Sequence, residues 1–394
     1  MDSDLVREKA EQVGEILKEL DVDTWLIWVR ETTQMADPTL ELIFGVDLVW
    51  QSALIFSKSG ERTAIVGNAD ADAIEGMGLF SRVTAYTQSI RDCLVGELDR
   101  FKPRRIAINY SKNDVASDGL THGMYMLLQE YLSDTPHVNR LVSAEDVVTR
   151  LRGRKTPGEI DRIRRAVEIT DQIFDEIAGV LKVGMTEKVI QSIFHQAMAR
   201  HNVTGAWFPA HNPAVDAGPN KEFGHSGPTS NKTKAGHLLH FDFGVRYEGY
   251  CSDLQRMFFF GKPSEVPADV QHAFDTVRDA IQAASEFIEA GSVGHEVDAI
   301  ARSHVVEQGY EEYQHALGHQ IGRQAHDGGT ILGPLWDRYG DTPKGVVEVG
   351  NAFTLELNVR TENYGQVSVE EDIIITESGC EFLSRPQREI ICLP

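Results

Sequence analysis

LLHFDFGVRYEGYCSDLQRMFFF, residues 238 to 260, reads as two runs rich in β-branched and aromatic residues, broken at Glu248-Gly249, a two-residue hairpin signal. Asp242 and Asp253 fall on opposite arms. With the turn at Glu248-Gly249, Tyr247 faces Tyr250, Gly244 faces Asp253 and Asp242 faces Gln255. The two carboxylates then project from one face as a diagonal pair, their Cβ atoms roughly 5 to 8 Å apart. That is near enough to share a metal site.

A second pair repeats the logic. AFTLELNVR (352 to 360) and QVSVEEDIIIT (366 to 376) flank TENYG, and this five-residue loop sets Glu356 directly opposite Glu370. The assignment depends on turn length, because a one-residue slip turns one member to the other face. Four carboxylates aimed at one spot repel each other unless some are protonated or cations sit between them. Two divalent ions bring the formal sum to zero. With His319 as the fifth ligand, oxygen-rich ligation with one imidazole and no thiolate suits Mn²⁺, Co²⁺, Fe²⁺ or Zn²⁺. It argues against a structural zinc cage or an electron-transfer copper site. Any one acid alone reads as a solvated strand residue, an explanation that fails for the four acids and His319 together.

Composition frames this reading. At 394 residues, with 41% apolar content, the chain has the length for two or three domains and substantial cores. A net charge of −22 argues against a nucleic-acid surface, which needs clustered Lys and Arg. Cys93, Cys251, Cys380 and Cys392 show no CxxC spacing, so neither a disulfide framework nor a zinc knuckle is indicated. No apolar run approaches 18 residues, and MDSDLVREKAEQVGEILKEL is charged and helical in pattern. The expectation is a cytoplasmic enzyme with no membrane partner.

RLRGRK, 150 to 155, reads as part of an interdomain linker. TPGE, 156 to 159, then offers Thr156 as N-cap, Pro157 at the first helical position and Glu159 three residues on. Before the boundary, TWLIWV, SALIFSK, RTAIVG and RRIAINY read as strands, with helices at 4 to 20, 90 to 101 and 117 to 132. After it come amphipathic helices near 158 to 181, 186 to 201, 267 to 290 and 293 to 308, interleaved with the two hairpins. The pattern predicts a smaller α/β domain over 1–150 and an α+β domain over 156–394.

DFGVRYEGYCSD, HALGHQIGRQAHD, FTLEL and VSVEED resemble the signature segments of the pita-bread metallopeptidases, which include aminopeptidase P, prolidase and methionine aminopeptidase. The two Asp are 11 residues apart, the two Glu 14 apart, and the metal His falls between the pairs, as in that family. The resemblance implies a C-terminal pita-bread domain binding two divalent ions, Mn²⁺ first, with Co²⁺, Zn²⁺ or Fe²⁺ as alternatives. Asp242 would bind one ion, Asp253 and Glu370 would bridge both, and His319 with Glu356 would hold the other. It further implies substrate-facing roles for His225, His315 and His326. His326 would donate to the carbonyl oxygen and His225 would act near the scissile nitrogen. Glu356 would pass a proton from a metal-bridging hydroxide to the leaving nitrogen.

The implied substrate is a short peptide with Pro in the second position. Over residues 1–150 the likeness is to the creatinase-type N-terminal domain, which implies a homodimer. There the loop 29 to 50, with Trp50 or Asp37, is the part expected to reach toward a site. Trp207, Phe208 and Tyr250 are candidates to line a proline pocket. The sequence departs from the family where Leu357 follows Glu356 in place of Pro, and where Ser368 stands in place of Arg two residues before Glu370. The alternative is therefore a metal-dependent C–N hydrolase of a small metabolite, creatinase-like or ectoine-hydrolase-like. A binding module that has lost its ligands is the third reading, and the complete ligand set argues against it.

Overall fold

The computed structural model of the chain describes residues 3–219 and 227–393, and contacts divide it into two compact units, Met1–Thr156 and Pro157–Pro394. The first is built on TWLIWV. All six residues of the strand Thr24–Val29 are buried, because helices cover both faces. Trp25, Ile27 and Val29 pack with Val13, Ile16 and Leu17 of the helix Ser3–Glu19 and with Val147, Val148 and Leu151 of Glu145–Gly153. Leu26 and Trp28 pack on the other side with Leu94 and Leu98 of Arg91–Phe101 and with Leu128 and Leu132 of His122–Leu132. Successive strand residues point to opposite faces, so a continuous apolar run is what a sheet between two helix layers demands.

Six strands make that sheet, in the order Arg82–Tyr86, Arg62–Gly67, Ser52–Ser57, Thr24–Val29, Ile106–Ile108, Leu141–Ser143. The two outermost strands are not visible in the sequence pattern. Both lie at an edge and are only partly buried, so neither carries a hydrophobic run. The helix read from residue 117 begins instead at His122, because Thr121 is extended and its side chain accepts from the Met124 amide as an N-cap.

RLRGRK is not an open linker. Its residues to Gly153 complete the helix Glu145–Gly153; Arg152 is buried against Glu41 at 2.5 Å, and Arg150 and Arg154 both reach Glu19 at 2.7 Å. Asp37 is likewise inward. Buried at 2% exposure, it accepts from Thr39 and from Asn109 Nδ2, which makes it a pin for its own loop rather than a contact residue.

In the second unit the helix Pro157–Ala178 opens at the TPGE signal. The other three long helices are Glu187–Arg200, capped by Thr186, Ala268–Phe287 and Gly294–Glu307. The main sheet runs Ala352–Arg360, Gln366–Thr376, Leu254–Phe260, Leu238–Phe243, Ala214–Ala217. Gly379–Phe382 joins at Gln366–Thr376 and Ile391–Leu393 at Leu254–Phe260.

Phe174 and Phe194 of the first helix pair meet Phe241 and Phe243, with ring centroids between 4.7 and 6.2 Å. Phe274, Val277 and Val297 of the second pair share a core with Phe353, Leu355 and Leu357. These sheet residues alternate with Asp242 and Glu356, so the acids point to the face the helices leave open. The unit is α+β, as the sequence pattern requires. No described helix is long and apolar enough to cross a membrane.

Candidate metal centre

Four strands bring their polar residues into one row. Asp242 pairs with Gln255, Gln255 with Glu370, and Glu370 with Glu356. Residues directly opposite one another share a face, so three of the expected ligands project together, with Gln255 between them. The hairpin registers are those the sequence implied: Tyr247 faces Tyr250, and Glu356 faces Glu370.

The first hairpin differs from the expectation in one respect. Each arm is broken, and its tip leaves the main sheet to form a separate three-stranded sheet of Val245–Tyr247, Tyr250–Cys251 and Thr204–Gly205. The chain crosses itself at the break. A Cβ on Gly244 would lie 2.0 Å from the Ser252 carbonyl oxygen, so only glycine fits. Asp253 sits at this break, and its amide donates to Asp372 Oδ2 at 3.0 Å, which aims it back over the row.

His319 arrives from a loop that adds itself to the edge strand. The His319 amide is 3.2 Å from Thr354 Oγ1, the Thr354 amide donates to the His319 carbonyl, and the Glu356 amide donates to the Leu317 carbonyl. Gly318 permits the approach, since a Cβ there would lie 1.9 Å from the Thr354 carbonyl oxygen. His319 Nε2 ends 3.7 Å from Glu356 Oε1 and 4.0 Å from Asp253 Oδ2. Ligand atoms of Asp253, His319 and Glu370 all lie within 4.8 Å of one another.

Burial, followed by the repulsion of neighbouring acids, holds Asp253 and Glu370 well above the usual carboxylate range. Burial also raises Glu356 to about 7, although the Gln255 amide works against it. His319 is pushed down to about 3 by burial, helped by His326. The imidazole is therefore neutral, with a lone pair to offer, and the acids crowd a space too dry and too negative for all of them to ionise unaided. This donor set fits hard or borderline divalent cations. Asp253 and Glu370 form the buried floor, while Asp242, His319 and Glu356 are partly open and His326 is exposed at the mouth.

The other histidines fall as follows. His326 stacks edge-on against His319, with centroids 4.2 Å apart. His315 is tied at both nitrogens, Nδ1 to the Ala316 carbonyl and Nε2 to Asn358 Nδ2, each at 2.8 Å. Asn358 lies two residues beyond Glu356 on the same face. His225 lies outside the described residues.

Of the aromatic candidates, Tyr250 is core. It is 1% exposed, its hydroxyl donates to Glu159 Oε1 at 3.1 Å, and the Arg323 guanidinium covers its ring. Trp207 is partly buried with its indole N–H on the His211 carbonyl, and Phe208 is 69% exposed. Reading ligand types alone passed over Gln255, Asn358 and Asp372. Their signal was parity, each standing opposite an expected ligand or two residues from one.

Comparison with known proteins agrees with this geometry. Residues 161–377 match the model of metallopeptidase family M24. An uncharacterized peptidase of Staphylococcus aureus is 27% identical over 338 residues, 85% of this chain and 88% of that one. The X-Pro aminopeptidase of Thermotoga maritima superposes with a TM-score of 0.72 at 24% identity, covering 98% of this chain and 99% of the other. The Xaa-Pro dipeptidase of Bacillus anthracis superposes at 0.75 and 23% identity, covering 98% and 100%. The chain belongs to metallopeptidase family M24. Its fold is the pita-bread fold preceded by an N-terminal domain, and its class of chemistry is metal-dependent peptide hydrolysis with divalent ions.

Proposed function

We propose that this protein hydrolyses Xaa-Pro bonds in dipeptides or short peptides, using two divalent cations, Mn²⁺ first among them, held by Asp242, Asp253, His319, Glu356 and Glu370. The observation that carries the reading is the four-strand row Asp242, Gln255, Glu370, Glu356, with Asp253 and His319 closing over it. Cations bound there supply Lewis acidity and lower the pKa of water toward about 7.

The chain's own groups do the rest. Glu356, partly open beside His319, would accept a proton and return it to the leaving nitrogen. His326, exposed at the mouth, would donate to the scissile carbonyl oxygen as charge develops. His315 donates from Nδ1 to a backbone carbonyl and accepts at Nε2 from Asn358, so it orients the wall of the site. His225 is assigned to the scissile nitrogen on its position in the family pattern. An Xaa-Pro bond is a tertiary amide without N–H, so selectivity must come from a pocket for the ring rather than from a backbone hydrogen bond.

A second reading, hydrolysis of a C–N bond in a small metabolite, is favoured by one observation. Ser368 spends its hydroxyl inside the protein, on Gln255 and the Leu357 carbonyl, where an Arg would carry a charge. The test is hydrolysis of an Xaa-Pro dipeptide and an Xaa-Pro tripeptide by metal-stripped protein with Mn²⁺, Co²⁺ or Zn²⁺ restored. Cleavage supports the peptidase reading, and the preferred length separates dipeptidase from aminopeptidase. Failure on both with metal bound transfers the assignment to the metabolite. The proposal includes a homodimer, checked by light scattering.

A further inference from the structure

Gln255 stands where the row of acids is interrupted, and its amide is the hub of a buried network. Nε2 donates to Glu356 Oε2 at 2.8 Å and to Glu370 Oε2 at 2.9 Å. Oε1 lies 2.6 Å from the Ser368 hydroxyl and 3.0 Å from His240 Nε2. Behind it, His240 Nδ1 lies 2.9 Å from Asp216 Oδ2. Gln255, Ser368, His240 and Asp216 are all buried, and they come from four different strands of the main sheet.

The two ends of an amide are alike in shape and opposite in hydrogen-bonding sense, so its partners decide its orientation. Glutamates that ligate a cation are carboxylates and only accept, which selects the NH₂ end. The carbonyl end then requires donors, and two are in place, the Ser368 hydroxyl and His240 Nε2. Asp216 Oδ2 holds the far side of the ring at Nδ1, which fixes the plane in which Nε2 meets the amide.

We propose that Gln255 is a positioning residue for the metal centre: clamped by Ser368 and by the Asp216–His240 pair, its amide binds one oxygen of Glu356 and one of Glu370 and leaves the other oxygen of each for a cation. The inference rests on reading those two glutamates as metal ligands. Glu356 already displays the division, with Oε2 on the amide and Oε1 toward His319 Nε2. A carboxylate otherwise turns freely about its last bond, and partners of this kind fix ligand orientation. A neutral amide does so without adding positive charge, so the four acids keep their full charge for cations.

The test is calorimetric titration of Mn²⁺ into chelator-stripped wild type, Gln255→Met, Ser368→Ala and the double variant, with melting of each metal-free protein as the check on folding. Gln255→Met is expected to weaken binding about 10- to 100-fold. Ser368→Ala weakens it less, and the double variant is no weaker than Gln255→Met, because Ser368 acts through the amide. Wild-type affinity in folded Gln255→Met, or losses that add in the double variant, overturns the inference. Should Gln255→Met fail to fold, unchanged affinity in Ser368→Ala overturns it. The readout needs no substrate, so absent Xaa-Pro hydrolysis with these shifts intact removes the functional reading alone, and unchanged affinities with hydrolysis intact remove this one alone.

Discussion

Glu356 and Glu370 stand directly opposite each other on paired strands, and one amide, that of Gln255 on the next strand, reaches both. Two acids so placed can be ionised together only if cations join them. The amide supports both but neutralises neither.

Metal should therefore stabilise the protein more as pH rises. In the metal-free state Glu356 is raised to about 7, and Asp253 and Glu370 are raised well above their usual range. These three acids then hold more protons in the folded protein than in the unfolded chain from about pH 4 upward, against the opposing contribution of His319, which is pushed down to about 3. The protein's metal-free stability accordingly falls as pH rises through about 7. Cations compete for the same oxygens, so the Mn²⁺-induced increase in Tm should be small at pH 5 and large at pH 8. Equal increments at both would contradict this charge balance.

Glu370→Ala and Asp253→Ala are expected to abolish hydrolysis and lower the number of cations bound. His326→Ala should leave cation content unchanged and lower kcat about 100- to 1,000-fold, the loss typical of a donor to a developing oxyanion. Elemental analysis beside steady-state kinetics separates the two cases. Full activity in either carboxylate variant would end the two-cation mechanism.

Gly318→Ala should damage the site more than the fold. The new methyl would meet the Thr354 carbonyl oxygen at 1.9 Å, pushing the His319 loop off the edge strand. Overpacking of this kind costs about 1–3 kcal/mol. Urea denaturation of the metal-free protein should show that modest loss, while Mn²⁺ affinity drops by more than the stability change accounts for.

Tyr250→Phe should lower stability by about 1 kcal/mol, through loss of the buried hydrogen bond to Glu159. KM for an Xaa-Pro peptide should not change. A raised KM would return Tyr250 to the substrate pocket.

The hairpins were legible because their registers are local. A two-residue turn at Glu248-Gly249 and a five-residue loop after Arg360 leave little freedom in pairing, and Tyr247 against Tyr250 and Glu356 against Glu370 follow. Burial on both faces likewise made TWLIWV readable as a strand, whereas the edge strands Arg82–Tyr86 and Leu141–Ser143 lack any such run. Gly244 was harder to interpret, since a glycine in a strand shows its purpose only where another segment crosses it.

From the order of residues alone came the two hairpins, the ligand types and the helices beside them, all governed by turn chemistry and periodicity over a few residues. The tertiary structure decided that the hairpins lie side by side, joining Gln255 to Glu370 across 115 positions, and that a loop carries His319 onto the edge strand. It also decided that Asp216, His240 and Ser368 surround one amide. Contacts of this range depend on how helices and sheet pack over the whole unit, and no local pattern encodes which strand becomes the neighbour of which.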